Sequence, residues 1–154
     1  MMQYQEKQMK KYSFYGSETP SVYPIAEEFK GVKDQRGLYD LLWDIWCEKS
    51  CAPRLRGEWS EENRTLGQCS ITSFLVQDIF GGKVFGVPLE GGGVHCYNVV
   101  DGVRFDLTSE QFQGKPLVYE DRSEQFRAEH FSDKEKESRY EYLKSELLKK
   151  LANG

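Results

Sequence analysis

The sequence predicts an α+β domain in which a cysteine-bearing helix packs on a small antiparallel β-sheet. Three observations lead there: two amphipathic helical stripes, a tight-turn signal between two β-rich runs, and a charged helical pattern at the end of the chain. The chain has 154 residues, 38% of them hydrophobic and 14% aromatic, which supplies one core and is too short for two. We therefore expect a single domain over residues 21–154. Residues 1–20 read as a polar N-terminal arm, a candidate for disorder, whose Tyr12, Phe14 and Tyr15 offer a means of docking.

From Gly37, apolar residues fall at Leu38, Leu41, Leu42, Ile45 and Trp46, the stripe of an amphipathic helix, and Cys51-Ala52-Pro53 should end it. Residues 54–65 are charged apart from Leu55 and Trp59 and suit a surface loop, with Trp59 folding back onto the body. Ile71, Phe74, Leu75 and Ile79 mark a second helix, with Cys69 at its start and Gly81-Gly82 supplying the left-handed residue that closes it. Lys83 to Val87 and Val94 to Val100 read as strands, joined by a loop with three consecutive glycines, Gly91 to Gly93.

Asp101-Gly102 then predicts a two-residue turn, so that Val103 to Thr108 returns antiparallel. Thr108 with Gln111 has capping-box spacing for a short helical turn, and Leu117 to Tyr119 could add a strand. Ser132 with Glu135 repeats that spacing before a C-terminal helix carrying Tyr140, Leu143, Leu147 and Leu151 down one side.

Lys plus Arg is 21 against 25 Asp plus Glu, a formal charge of -4, which disfavours a nucleic-acid partner. No apolar run reaches the ~20 residues of a membrane span, and the first residues lack the apolar core of a secretion signal, so the expectation is a cytoplasmic protein without a membrane partner. Its four cysteines should then stay reduced.

The hairpin fixes which side chains share a face. Val100 faces Val103 and Asn98 faces Phe105; continued, the register sets Tyr97 against Asp106 and His95 against Thr108. His95, Tyr97, Val99, Arg104 and Asp106 then lie on one side, with Cys96, Asn98, Val100, Phe105 and Leu107 on the other. His95 and Asp106 become diagonal neighbours at roughly 7 Å, within side-chain reach.

A thiol becomes a nucleophile when its pKa falls, and a helix N-terminus beside an imidazole achieves this. Cys69 is thus the candidate nucleophile, His95 the general base and acid, and Asp106 the group that fixes the imidazole tautomer. The Cys69 backbone N–H could bind an oxyanion. Gln68, Asn98 and Trp59 are further candidates for oxyanion binding or substrate positioning. Each has a plainer role beside it: Cys69 as packing, Asp106 as a cap near Thr108, His95 as a satisfied buried histidine. His130 lies in a charged stretch and reads as solvated. Cys47 and Cys51 have C-x3-C spacing that, with Cys69 and His95 or Cys96, raises a zinc alternative, disfavoured because His95 and Cys96 point to opposite sides of one strand.

Gly67-Gln68-Cys69-Ser70-Ile71-Thr72, Val76 to Gly82, His95-Cys96-Tyr97-Asn98 and Phe105-Asp106-Leu107-Thr108 together resemble the YunG family of small bacterial proteins. The resemblance covers roughly residues 38–112, with Trp59 and Arg139-Tyr140 as further landmarks. More distantly, Cys on a helix, His on a strand and Asp on the next strand resemble the papain and transglutaminase-like cysteine enzymes. That resemblance implies a papain/transglutaminase-like fold and acyl chemistry through a thioester on a peptide or other amide substrate, with no metal or organic cofactor. The alternative is a non-catalytic binding or scaffold protein that keeps the fold.

Overall fold

Local sequence sets the elements, and a computed structural model describes residues 11–154 of the result. Helix α1 spans Gln35–Trp43, starting where Asp34 accepts the Gly37 backbone N–H at 2.9 Å. It ends earlier than Pro53 would dictate. Ser50 Oγ accepts from the Cys47 N–H and donates to the Cys47 carbonyl, turning the chain while Ile45 and Trp46 still reach the core. Helix α2 spans Cys69–Phe80, and Gly81 and Gly82, both at positive φ, turn the chain out of it.

The chain then lays down β1 (Lys83–Pro88), β2 (Val94–Val100), β3 (Val103–Phe105) and, later, β4 (Ser123–Gln125). These form a four-stranded antiparallel sheet in the order β3-β2-β1-β4. Asp101 and Gly102 both sit at positive φ, as the hairpin turn requires, and Val100 pairs Val103 and Asn98 pairs Phe105 as the sequence predicts.

The ladder stops there. The expected Tyr97–Asp106 and His95–Thr108 pairs are replaced by a bridge from Asp106 to Tyr15, whose carbonyl accepts the Asp106 N–H at 2.9 Å. Gly16, next to that bridge, crosses so close that a Cβ would stand 2.7 Å from the Phe105 Cα. Phe14 is 2% exposed within the main core, so residues 11–20 are docked by their aromatics; the first ten residues of the arm lie outside the described residues.

Leu117 to Tyr119 is not a strand. Tyr119 instead packs under the sheet with Val87 and Tyr97, and its carbonyl accepts the Tyr97 hydroxyl at 2.6 Å, so the fourth strand forms only beyond the Asp121 turn. A short helix α3, Arg127–His130, leads into α4, Lys134–Asn153. Asp133, rather than Ser132, caps α4 by accepting from Glu135 and Lys136; Ser132 Oγ donates to Glu129 O at 2.6 Å instead. Ser109–Phe112 is a 3-10 turn, and Thr108 bonds Asp106 rather than capping it.

One face of the sheet carries Val84, Cys96, Val100 and Phe105 against α1, α2 and α4 in the main core. The opposite face carries the smaller Val87–Tyr97–Tyr119 cluster and His95. Among the described residues no helix is long and apolar enough to cross a membrane.

Candidate active site

Cys69 is held at the first position of α2, where the initial backbone N–H groups lack intrahelical partners. Across from it, β3 ends at Phe105 and leaves the start of β2 unpaired on that side. The Cys69 thiol stands 3.9 Å from the Ser70 hydroxyl there, and the His95 imidazole and the Cys96 backbone N–H are near enough to act on its charge. A helix start thus meets a strand edge.

His95 is fully buried, and its Nε2 lies 2.6 Å from Asp106 Oδ2. With Nε2 held by the carboxylate, Nδ1 is buried without a hydrogen-bond partner, which leaves it open to the Cys69 thiol, whose charge acts on the imidazole. Asp106 also accepts the Tyr119 hydroxyl at 2.7 Å, the Thr108 backbone N–H at 3.1 Å and the Thr108 hydroxyl at 3.3 Å. Four donors fix its orientation. Phe112 stands edge-on to the imidazole with centroids 4.7 Å apart.

The electrostatics follow. Burial pushes the Cys69 thiol up, but the His95 cation and the hydrogen bonds from His95, Cys96 and Ser70 outweigh it and bring the thiol from 9.0 to about 7. Burial opposes a charged His95, yet the Asp106 carboxylate and the Cys69 thiolate raise it from 6.5 to about 10. Each shift favours the charged form of the other group, so the pair favours thiolate and imidazolium together.

Residues 34–152 match the family described as YunG protein. The chain belongs to the YunG family. It is also 39% identical over 80 residues to the uncharacterized protein YunG of Bacillus subtilis (strain 168), an alignment covering 52% of this chain and 64% of that relative, less than two thirds of its length. No solved structure matches the chain.

In this YunG chain the other sequence candidates lie apart from the thiol–imidazole contact. Gln68 is buried and its amide donates to the Cys47 carbonyl at 3.1 Å. Asn98 Nδ2 donates to the Ser73 carbonyl at 2.9 Å, tying β2 to α2 on the opposite face of the strand from His95. Trp59 closes its own loop, donating from Nε1 to the Arg64 carbonyl at 2.9 Å. Cys47 lies 3.7 Å from the Tyr142 hydroxyl, Cys51 is buried, and among the described residues no group of three or more His, Cys, Asp or Glu is placed to hold a metal.

Cys69 and His95 open onto a cleft of about 730 Å³ bordered by Leu89, Phe112, His130 and Lys136. His130 is therefore not a solvated surface histidine. It packs on Phe74, and its ring nitrogens meet Gln125 Oε1 and Lys136 Nζ, each at 3.0 Å. Burial and the neighbouring Lys136 cation lower its pKa from 6.5 to about 4. Sequence reasoning missed Tyr119, the Cys96 N–H and the His130–Lys136 pair. Each reaches the site by tertiary closure, which no local pattern in the sequence signals.

Proposed function

We propose that this YunG protein is a thiol-dependent amide hydrolase or acyl transferase working through Cys69, His95 and Asp106. The observation that carries the reading is the Cys69 thiol set against an imidazole whose far nitrogen is fixed by a buried carboxylate at 2.6 Å. The Cys69 thiolate attacks the amide carbonyl, and His95 delivers its proton to the departing amine as the C–N bond breaks, leaving a thioester. Neutral His95 then takes a proton from water or an acceptor amine, whose attack on the thioester carbonyl breaks the C–S bond, releases the acyl group and restores the thiolate and imidazolium. First-turn N–H groups of α2, Cys69 included, are the oxyanion donors in this scheme.

We extend the resemblance to the papain and transglutaminase-like enzymes to the helix-on-sheet arrangement itself, with residues 21–154 as the working domain and 1–20 as an arm laid on it. The substrate is a peptide or other amide-containing molecule, the chemistry needs no metal or organic cofactor, and the cytoplasm is the compartment that keeps the thiol reduced. The glycine-rich loop gates access, since Leu89 and Gly93 border the cleft.

The test is the pH dependence of iodoacetamide labelling at Cys69, read by peptide mass spectrometry. The wild-type midpoint should lie near about 7. His95→Ala should move it towards an ordinary thiol at about 8.5 and slow labelling at neutral pH about tenfold. Labelling of Cys69 no faster than that of Cys47 or Cys51 would replace this reading with the non-catalytic binding or scaffold role.

A further inference from the structure

The cleft in front of Cys69 has an uneven charge pattern. Leu55, Leu66, Leu89 and Phe112 give it an apolar lining, and His130 and Lys136 border it as well. Lys136 is half-buried there; its Nζ donates to His130 Nδ1 at 3.0 Å and forms no ion pair among the described residues. The acceptor is a histidine kept neutral, so this bond leaves the lysine charge uncompensated.

Of the carboxylates nearest in sequence, Asp133 and Glu135 also line the cleft, and each is engaged by other groups. Glu135 binds Arg139 at 2.9 Å and Arg56 at 3.3 Å, Glu137 binds Lys134 at 3.3 Å, and Asp133 caps α4. Helix stability does not explain Lys136 either, because it lies in the first turn of α4, where the helix dipole disfavours a cation. Arg54, an exposed residue that also lines the cleft, forms no ion pair among the described residues.

A half-buried ammonium with spare donors, in the cleft that the reactive thiol opens onto, is poised to receive an anion. We infer that the cleft selects an amide bearing a carboxylate, with the substrate's apolar portion on the Leu55–Leu89–Phe112 lining and its carboxylate on Lys136, assisted by Arg54. This rests on the proposed Cys69 chemistry and narrows it to acidic amides.

Two alkylating reagents of nearly equal size test it without knowledge of the substrate. Iodoacetate carries a carboxylate and iodoacetamide does not, so the ratio of their rates at Cys69, set against a small free thiol, reports the local preference for an anion. His95 contributes to that ratio in every variant, and Lys136→Gln isolates the lysine. The ratio should fall about three- to tenfold in Lys136→Gln, the effect of removing one charge near a reacting thiolate in a partly solvated site, and return in Lys136→Arg. A ratio equal in wild type and Lys136→Gln overturns the acidic-amide inference while leaving the thiolate chemistry standing. Cys69 reacting like an ordinary thiol with both reagents overturns the chemistry itself, and the inference with it.

Discussion

His95 and His130 border the same cleft, yet their surroundings drive the two imidazoles in opposite directions. His95 is fully buried at the start of β2, between a carboxylate and a thiol, and its pKa rises to about 10. His130, at the end of α3, is only half-buried, faces an amide and an ammonium, and falls to about 4. The more deeply buried ring is thus the one that holds charge. Burial alone would predict the reverse order, so partner identity outweighs desolvation in this cleft.

The comparison has opposite signs in pH. His95 has a raised pKa, so its contribution to stability is complete below 6.5 and is lost as pH climbs through about 10. His130 has a lowered one, so the unfolded chain binds the proton first and stability declines as pH drops from 6.5 through about 4.

Removing the carboxylate breaks the comparison most severely. Asp106→Ala leaves His95, Tyr119 and Thr108 facing an unfilled buried acceptor site. It should cost about 3–5 kcal/mol in denaturant unfolding, with His95 no longer charged at neutral pH by NMR titration. An Asp106→Ala protein as stable as wild type would show that the pair does not hold this corner together.

Tyr119→Phe sharpens it more gently. Loss of one hydroxyl donor to Asp106 should cost about 0.5–1.5 kcal/mol. As a positioning residue acting through Asp106, it should also shift the pH midpoint of Cys69 labelling, and by less than His95→Ala does. A stability loss with an unmoved midpoint would make Tyr119 a packing residue only.

The smallest effect belongs to the other histidine. His130→Gln should flatten the loss of melting temperature between pH 6.5 and 4 while leaving the alkaline limb of the stability curve as in wild type. An acid limb identical to wild type would mean that burial and Lys136 do not hold His130 neutral.

Much of the site was legible because strand alternation and turn geometry are local. Asp101-Gly102 set the hairpin register, the register put His95 and Asp106 on one side, and the α2 stripe put Cys69 at a helix start. The error was the length of β3. Extrapolating the ladder beyond Phe105 ignored that Tyr15, some ninety residues earlier, would take the Asp106 N–H. That substitution frees the Cys96 N–H side of β2 for the thiol. His130 was misread because charged neighbours in sequence do not show which of them a fold will turn inward.

The sequence by itself determined an α+β chain with three main helices, a hairpin of known turn, His95 and Asp106 on one side of it and Cys69 at a helix start, since these follow from periodicity and local backbone preference. Only the tertiary structure decided what surrounds them. Tyr119 behind Asp106, the Cys96 N–H near the thiol and Lys136 beside His130 come from segments far apart in the chain, brought together by burial of a shared core. Whether an imidazole is charged depends on groups within a few ångströms of it, and that distance is a property of the fold.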